Sequence, residues 1–230
     1  MTSAPTTLLV DWGGVLTGPL STAIEKWAEA DRVDLEAYFD LVNHWLGPEF
    51  SRLAHTNPIH ALEVGALTIE DFEGTLKREM ETRTGRHFPG PGMVARMFAM
   101  FDHAPDMNGL VYRARRCGVR TGLISNSWGN EYPRDGWNDM FECVVISHEV
   151  GLRKPDPAIF ELAISTLGVS AGECVFVDDL HTNVAAAVEF GMIGVHHTSY
   201  DSTLMELNAI FDANFGDDPF PQQVHDEPRS

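Results

Sequence analysis

Short apolar runs that stop at polar tips dominate this chain. Leu8-Leu9-Val10 ends at Asp11 and opens into the glycine turn Trp12-Gly13-Gly14-Val15-Leu16-Thr17. Thr121-Gly122-Leu123-Ile124 ends in Ser125-Asn126, and Val175-Phe176-Val177 ends in Asp178-Asp179, with Asn183 soon after. An aliphatic and β-branched run halted this way reads as a buried strand leading into a tight loop. Strands are predicted there, at 120–125 and 174–178, and also at 143–147 and 193–197. Helical spacing marks 93–101, 107–117, 156–167, 182–190 and 203–211. Strands alternating with helices imply a parallel sheet covered on both faces, the α/β class.

The block between the first strand and this alternation is different. From Ser21 to Trp45 apolar residues fall at Ile24, Trp27, Ala28, Val33, Leu35, Tyr38, Phe39, Leu41 and Val42, a helical spacing interrupted near Asp31. Pro48 and Pro58 break the pattern. A further helix is predicted from Pro58, and another from Thr68, an N-cap residue followed by Glu70 and Asp71. No strand is convincing in residues 18–88, so an all-helical insertion is expected there. Pro89-Gly90-Pro91-Gly92 reads as the hinge back to the alternating part. The polar, proline-bearing tail at 216–230 is expected to be mobile.

Composition narrows the partners. Sixteen Lys and Arg against 34 Asp and Glu give a formal charge of −18 over 230 residues. Such a surface repels nucleic-acid backbones and anionic membranes. A phosphate-bearing substrate would need local positive charge to overcome that field. Cys117, Cys143 and Cys174 have no paired spacing and fit small side chains in a reducing compartment. The start of the chain lacks a basic, apolar leader, and no run approaches the roughly 20 residues that span a bilayer. A soluble, cytoplasmic protein is the expectation.

The strand tips carry the candidate chemistry. In open α/β sheets ligands bind at the carboxyl ends of strands. A carboxylate there, Asp11, is placed to act as a nucleophile or a metal ligand. The glycine turn after it leaves backbone N–H groups free to face a developing oxyanion. Ser125 and Asn126 can donate hydrogen bonds to a transferring group. Lys154, in Gly151-Leu152-Arg153-Lys154-Pro155-Asp156-Pro157, supplies charge just before a helix. Adjacent Asp178 and Asp179 can share one cation, and hard oxygen ligands suit Mg²⁺.

Acid, hydroxyl, lysine and paired acids, in that order and spacing, resemble the haloacid dehalogenase-like (HAD) hydrolase superfamily over about residues 7–200. The Ser125-Asn126-Ser127-Trp128 tip and the Val150 to Pro155 segment are most similar to the branch that includes the amino-terminal phosphatase domain of soluble epoxide hydrolases. The resemblance implies a Rossmann-like core, residues 1–17 and 89–215, and a helical C1-type cap at 18–88, as in subfamily I. It implies a Mg²⁺-dependent phosphatase for a small phosphate monoester. Asp11 would be the nucleophile, Ser125, Asn126 and Lys154 the phosphoryl clamp, with Trp12 and Gly13 also against substrate. Asp11, the Gly13 carbonyl and Asp179 would hold the metal. Asp178 would join them from outside the inner shell or position Lys154.

One position departs from the pattern. Phosphatases of this family carry a second acid two residues after the nucleophile, and here that residue is Gly13. Acid–base help of this kind is typically worth about 10² to 10⁴ in rate. A good leaving group would need less of it. Thr17, or His44, His55 and His60 of the helical block, could stand in. Alternatives are a metal-independent 2-haloacid dehalogenase, where halide leaves without a proton and Arg32 or Arg52 would meet the substrate carboxylate, and a binding protein without turnover. Trp27, Trp45, Phe39 and Phe50 are candidates for pocket lining, although helical-stripe aromatics are more often core.

Overall fold

The structure is a computed structural model that describes residues 4–47 and 57–216. Five parallel strands form its centre: β1 (Thr7–Val10), β2 (Arg120–Ser125), β3 (Cys143–Ile146), β4 (Cys174–Asp178) and β5 (Ile193–His196). Their order across the sheet is β3-β2-β1-β4-β5. β1 is therefore central, with Val10 opposite Leu123 on one side and Val177 on the other. Parallel strands bring their carboxyl ends to one edge. The order reverses direction around β1, which makes this edge a ligand-binding switch point.

Alternation explains the continuous apolar run of β1. Leu8 and Val10 join one core cluster with Leu110, Val111, Val175 and Val177, while Leu9 joins another with Ile124, Ile159, Phe160 and Phe176. All four β1 residues are fully buried. Burying Leu8, Leu9 and Val10 stabilises the fold by about 1.5–3 kcal/mol each, so a polar residue inside this strand would destroy the frame that carries Asp11.

The helical block has its own apolar cluster. α1 (Leu20–Asp31) stops where Arg32 takes a left-handed conformation, φ 56°. Asp34 then caps α2 (Leu35–Leu46) by accepting the Ala37 N–H at 3.1 Å. This is the interruption expected near Asp31. Buried Asn57 caps α3 (Pro58–Glu63), and Thr68 caps α4 (Ile69–Thr84) by accepting the Asp71 N–H. With α5 (Met93–Phe98) these helices enclose Trp27, Tyr38, Leu41, Trp45, Leu62, Phe72, Leu76 and Met97. Trp27 and Trp45 are thus core residues and not pocket walls, and Phe39 packs on the same cluster. Phe50, Pro48, His55 and Arg52 lie outside the described residues, as does the tail beyond Gly216.

Some boundaries move. The helix expected at 93–101 ends at Phe98, and the one expected at 107–117 is α6 (Pro105–Arg116), with Pro105 in its first turn. The carboxylate of buried Glu73 accepts the Gly92 N–H at 2.7 Å and the Val94 N–H at 2.8 Å, which ties the start of α5 to α4. Two single-turn helices, α7 (Trp137–Met140) and α8 (Ser147–Val150), are too short to give a periodic signal. The expected strand 143–147 accordingly yields Ser147 to α8. The remaining helices, α9 (Pro157–Leu167), α10 (His181–Phe190) and α11 (Tyr200–Phe211), fall where the pattern put them. No helix among the described residues is long and apolar enough to cross a membrane.

Candidate active site

Every residue singled out at the strand tips lies along the same sheet edge. The Asp11 N–H donates to the Val177 carbonyl at 2.9 Å, fastening the tip of β1 to β4. Its Oδ1 accepts the Trp12 N–H at 2.7 Å. The loop then folds back on itself: the N–H groups of Leu16 and Thr17 donate to the Trp12 carbonyl, and the Gly14 N–H donates to Thr17 Oγ1 at 3.1 Å.

The two glycines of this loop are not equivalent. Gly14 has φ +75°, and a Cβ there would stand 2.2 Å from Asp179 Oδ2. Only glycine lets that carboxylate lie against the loop. At Gly13 an added Cβ would meet nothing within 4 Å. The space left by the missing acid is open.

Lys154 is wholly buried and faces two carboxylates. Its Nζ is 2.8 Å from Asp11 Oδ1 and 2.7 Å from Asp178 Oδ2. Asn126 holds the lysine's main chain from both sides. Its Nδ2 donates to the Lys154 carbonyl at 3.0 Å, and its Oδ1 accepts the Lys154 N–H at 2.8 Å. The Asn126 amide is therefore spent on positioning the lysine. Asp178 is saturated too: besides Lys154 it accepts the Leu180 N–H at 2.8 Å and the Asn183 amide at 3.1 Å to each oxygen. Asn183 thus ties the loop to the acid.

The charges do not balance. Asp11, Asp178 and Asp179 each bring an oxygen to a cluster spanning no more than 4.8 Å. Burial pushes the Asp11 carboxyl up to about 7, with Lys154 opposing and Asp178 and Asp179 reinforcing the rise. Asp179 rises to about 6, again by burial first and then by Asp178. Burial works against the Lys154 ammonium, but Asp11 and Asp178 outweigh it and lift it to about 12. One ammonium set against three acids leaves negative charge uncompensated, which is the electrostatic signature of a cation site.

The candidate replacements for the missing acid sit in different settings. The Thr17 hydroxyl accepts from Gly14 and lies 3.0 Å from the Gly18 carbonyl. His60 sits on α3, where burial and Arg153 hold its imidazole down to about 4. His44 is exposed on α2, and Arg32 is an exposed helix cap.

Sequence reasoning missed three residues here. Tyr132 brings its hydroxyl to 3.0 Å from Ser125 Oγ, from a loop with no motif to announce it. Arg153, beside the lysine, pairs with buried Glu63 of α3 at 2.5 Å. The Ser147 hydroxyl donates to the Glu63 carbonyl at 2.7 Å and accepts the Ser127 N–H at 2.8 Å. A groove of about 1680 Å³ runs between α4, the 88–103 segment and the 129–140 loop. Trp12, Leu16 and Thr17 form part of its wall, though Asp11 does not.

The model of the haloacid dehalogenase-like hydrolases matches residues 5–191. The chain belongs to that family. It is 27% identical over 181 residues to bifunctional epoxide hydrolase 2 of Mus musculus, covering 71% of this chain but 32% of the mouse protein. The chain thus spans about a third of the length of that relative. It is 34% identical over 184 residues to glyceraldehyde 3-phosphate phosphatase of Pyrococcus abyssi, covering 74% of this chain and 75% of that protein. Among solved structures it superimposes with a TM-score of 0.60 on a HAD family enzyme of Bacteroides thetaiotaomicron in complex with magnesium and inorganic phosphate. The identity is 21%, over 84% of this chain and 93% of that one. At that identity the likeness shows the shared fold.

Proposed function

We propose that this HAD-like hydrolase is a Mg²⁺-dependent phosphatase of small phosphate monoesters, working through an aspartyl phosphate on Asp11. The observation that carries the reading is the buried Lys154 bridging Asp11 and Asp178 beside a third carboxylate, Asp179. A dehalogenating site has no use for that excess of acids. The phosphatase names of relatives such as the Pyrococcus abyssi protein, and the magnesium and phosphate in the Bacteroides thetaiotaomicron complex, support the same choice.

The donor set fits Mg²⁺. Asp178 already serves Lys154, Leu180 and Asn183, so Asp11, Asp179 and the Gly13 carbonyl are the groups that would hold the ion, with Asp178 outside them. When bound, Mg²⁺ supplies charge neutralisation for the acids and for a phosphoryl group. Lys154 orients Asp11 and balances the phosphoryl charge, and Ser125 donates to a phosphoryl oxygen. Asn126 fixes Lys154. Trp12 and Gly13 border the leaving group.

The helices of residues 18–88 would serve as the cap over a core of 1–17 and 89–215, with the groove beside Trp12 as the substrate's way in. Three free cysteines suit a reducing, cytoplasmic setting.

The experiment is hydrolysis of 4-nitrophenyl phosphate with and without Mg²⁺, in wild type and Asp11→Asn. Metal-dependent turnover that disappears in Asp11→Asn is the expected result. The open space at Gly13 also suits halide loss, which needs no proton. Chloride release from a 2-chloro acid, with no release of phosphate from the ester, would replace the phosphatase reading by dehalogenation.

A further inference from the structure

A phosphatase that lacks an acid at residue 13 still has to protonate an alkoxide leaving group. We infer that Tyr132 is the catalytic residue that supplies this proton, through its hydroxyl beside Ser125, so that alkyl as well as aryl phosphates are substrates. This rests on the phosphatase reading above and adds a residue to it.

The geometry carries the inference. The Tyr132 hydroxyl lies 3.0 Å from Ser125 Oγ, at the carboxyl end of the strand next to β1. Its ring is wedged between two tryptophans. Trp12 of the nucleophile loop meets it edge-on at 4.8 Å between centroids, and Trp137 at 5.7 Å. The wedge fixes where the hydroxyl points, and Trp12 is the neighbour of the nucleophile itself. At Gly13, where an acid would otherwise stand, the structure is open. Trp12, the residue just before that gap, is the ring that Tyr132 touches.

The resting state of the phenol is right for a donor. Burial pushes the Tyr132 hydroxyl up from its ordinary value, Ser125 and Ser127 oppose this, and the Asp11 charge adds to it. The group therefore keeps its proton at neutral pH. An alkoxide is a far stronger base than a phenolate, so transfer to a departing alkoxide is downhill.

The step balances. A lone pair of Asp11 forms the bond to phosphorus. The bond from phosphorus to the leaving oxygen breaks, and its electrons stay on that oxygen. The Tyr132 proton moves to it and the alcohol departs. The phenolate left behind is the base for the second half. In the second half, water attacks phosphorus, the bond to Asp11 breaks, and the water's proton returns to Tyr132. Carboxylate, phenol and free phosphate are restored.

The test is leaving-group dependence. Single-turnover kcat/KM is measured with Mg²⁺ on a series from nitrophenyl through phenyl to simple alkyl phosphates, for wild type, Tyr132→Phe and Tyr132→Phe/Gly13→Asp. Phenylalanine keeps the ring between Trp12 and Trp137, so the fold is retained. Tyr132→Phe should lose less than about tenfold on the nitrophenyl ester and about 10² to 10⁴ on the alkyl ester. The double variant should recover alkyl turnover. A loss of equal size across the series, or no loss, would overturn the assignment, because a packing role does not depend on the leaving group. Wild type that hydrolyses aryl but not alkyl esters would overturn it too, while leaving the phosphatase reading intact. Wild type inert on every ester, the nitrophenyl one included, would overturn both.

Discussion

Lys154→Met tests the centre of the site without touching a carboxylate. The change keeps the length of the side chain and removes the ammonium that Asp11 and Asp178 share at 2.8 and 2.7 Å. With an effective dielectric of about 20, each contact is a gross attraction of about 6 kcal/mol. Against this, burying the ammonium costs several kcal/mol, which the variant no longer bears. The net result of breaking a buried pair is a loss of about 3–5 kcal/mol, because the orphaned acids remain buried. For a chain of this size that is a fall in Tm of about 6–20 °C. The assay is thermal unfolding in EDTA, repeated over a Mg²⁺ titration. Mg²⁺ should raise the Tm of the variant more than that of wild type, since it replaces charge that the lysine supplied. Lys77→Met is the control: that lysine pairs with Glu81 at 3.9 Å on an open helix face, and its loss should cost at most about 0.5 kcal/mol. A Lys154→Met loss below about 1 kcal/mol would refute the reasoning, because it would mean the acids do not depend on the lysine.

Three other outcomes follow from the same geometry. Gly14→Ala should destabilise by about 1–3 kcal/mol from its positive φ, and should also weaken the apparent Mg²⁺ affinity in an activity titration, since the new Cβ displaces Asp179. Gly13→Asp should fold, having space for its side chain; its Tm should fall in EDTA and recover with Mg²⁺, and its alkyl phosphatase rate should rise up to about 10²-fold. His60→Gln should flatten stability against pH on the acid side. The folded imidazole titrates near 4, below its ordinary 6.5, so protonation opposes folding; its contribution is full above 6.5 and is lost as pH falls toward 4. Wild type and variant melted at pH 7 and pH 4.5 should therefore diverge in slope, and parallel slopes would exclude the imidazole as the cause.

The strand tips were legible because apolar runs and polar ends are local signals. Leu8, Leu9 and Val10 had to be buried, so Asp11 had to emerge at a sheet edge, and the same argument held for Ser125 and Asp178. The lysine was legible as a residue but not as a group buried between two acids, since nothing local in Arg153-Lys154-Pro155 encodes which strands flank it. Asn126 was expected to face a phosphoryl group, and only the fold reveals its amide clasping the Lys154 main chain. Tyr132 gave no signal at all: its value comes from Ser125 and Trp12, which are brought to it by the sheet. The helical aromatics went the bland way. Trp27 and Trp45 fill the helical block's own cluster beside Tyr38, Phe72 and Leu76, because the apolar stripes of packed helices face one another.

The adjacent glycines 13 and 14 look alike in sequence, and their difference bears on the chemistry. Gly14 is dictated by packing, since any Cβ would collide with Asp179. Gly13 is not, since its surroundings would admit a side chain. The missing acid is therefore no by-product of a tight turn. Electrostatics supplies a reason to leave it out: a fourth carboxylate would join three that have one buried ammonium among them, in contact with only two, raising their proton affinities further and drawing Asp11 away from its nucleophilic form. A neutral phenol at Ser125 meets the need for a proton without adding charge, and open space at Gly13 lets the leaving group approach it. Glycine at 13 and tyrosine at 132 are two sides of one arrangement, which is why reinstating aspartate should rescue the loss of the phenol only when Mg²⁺ is present to carry the extra charge.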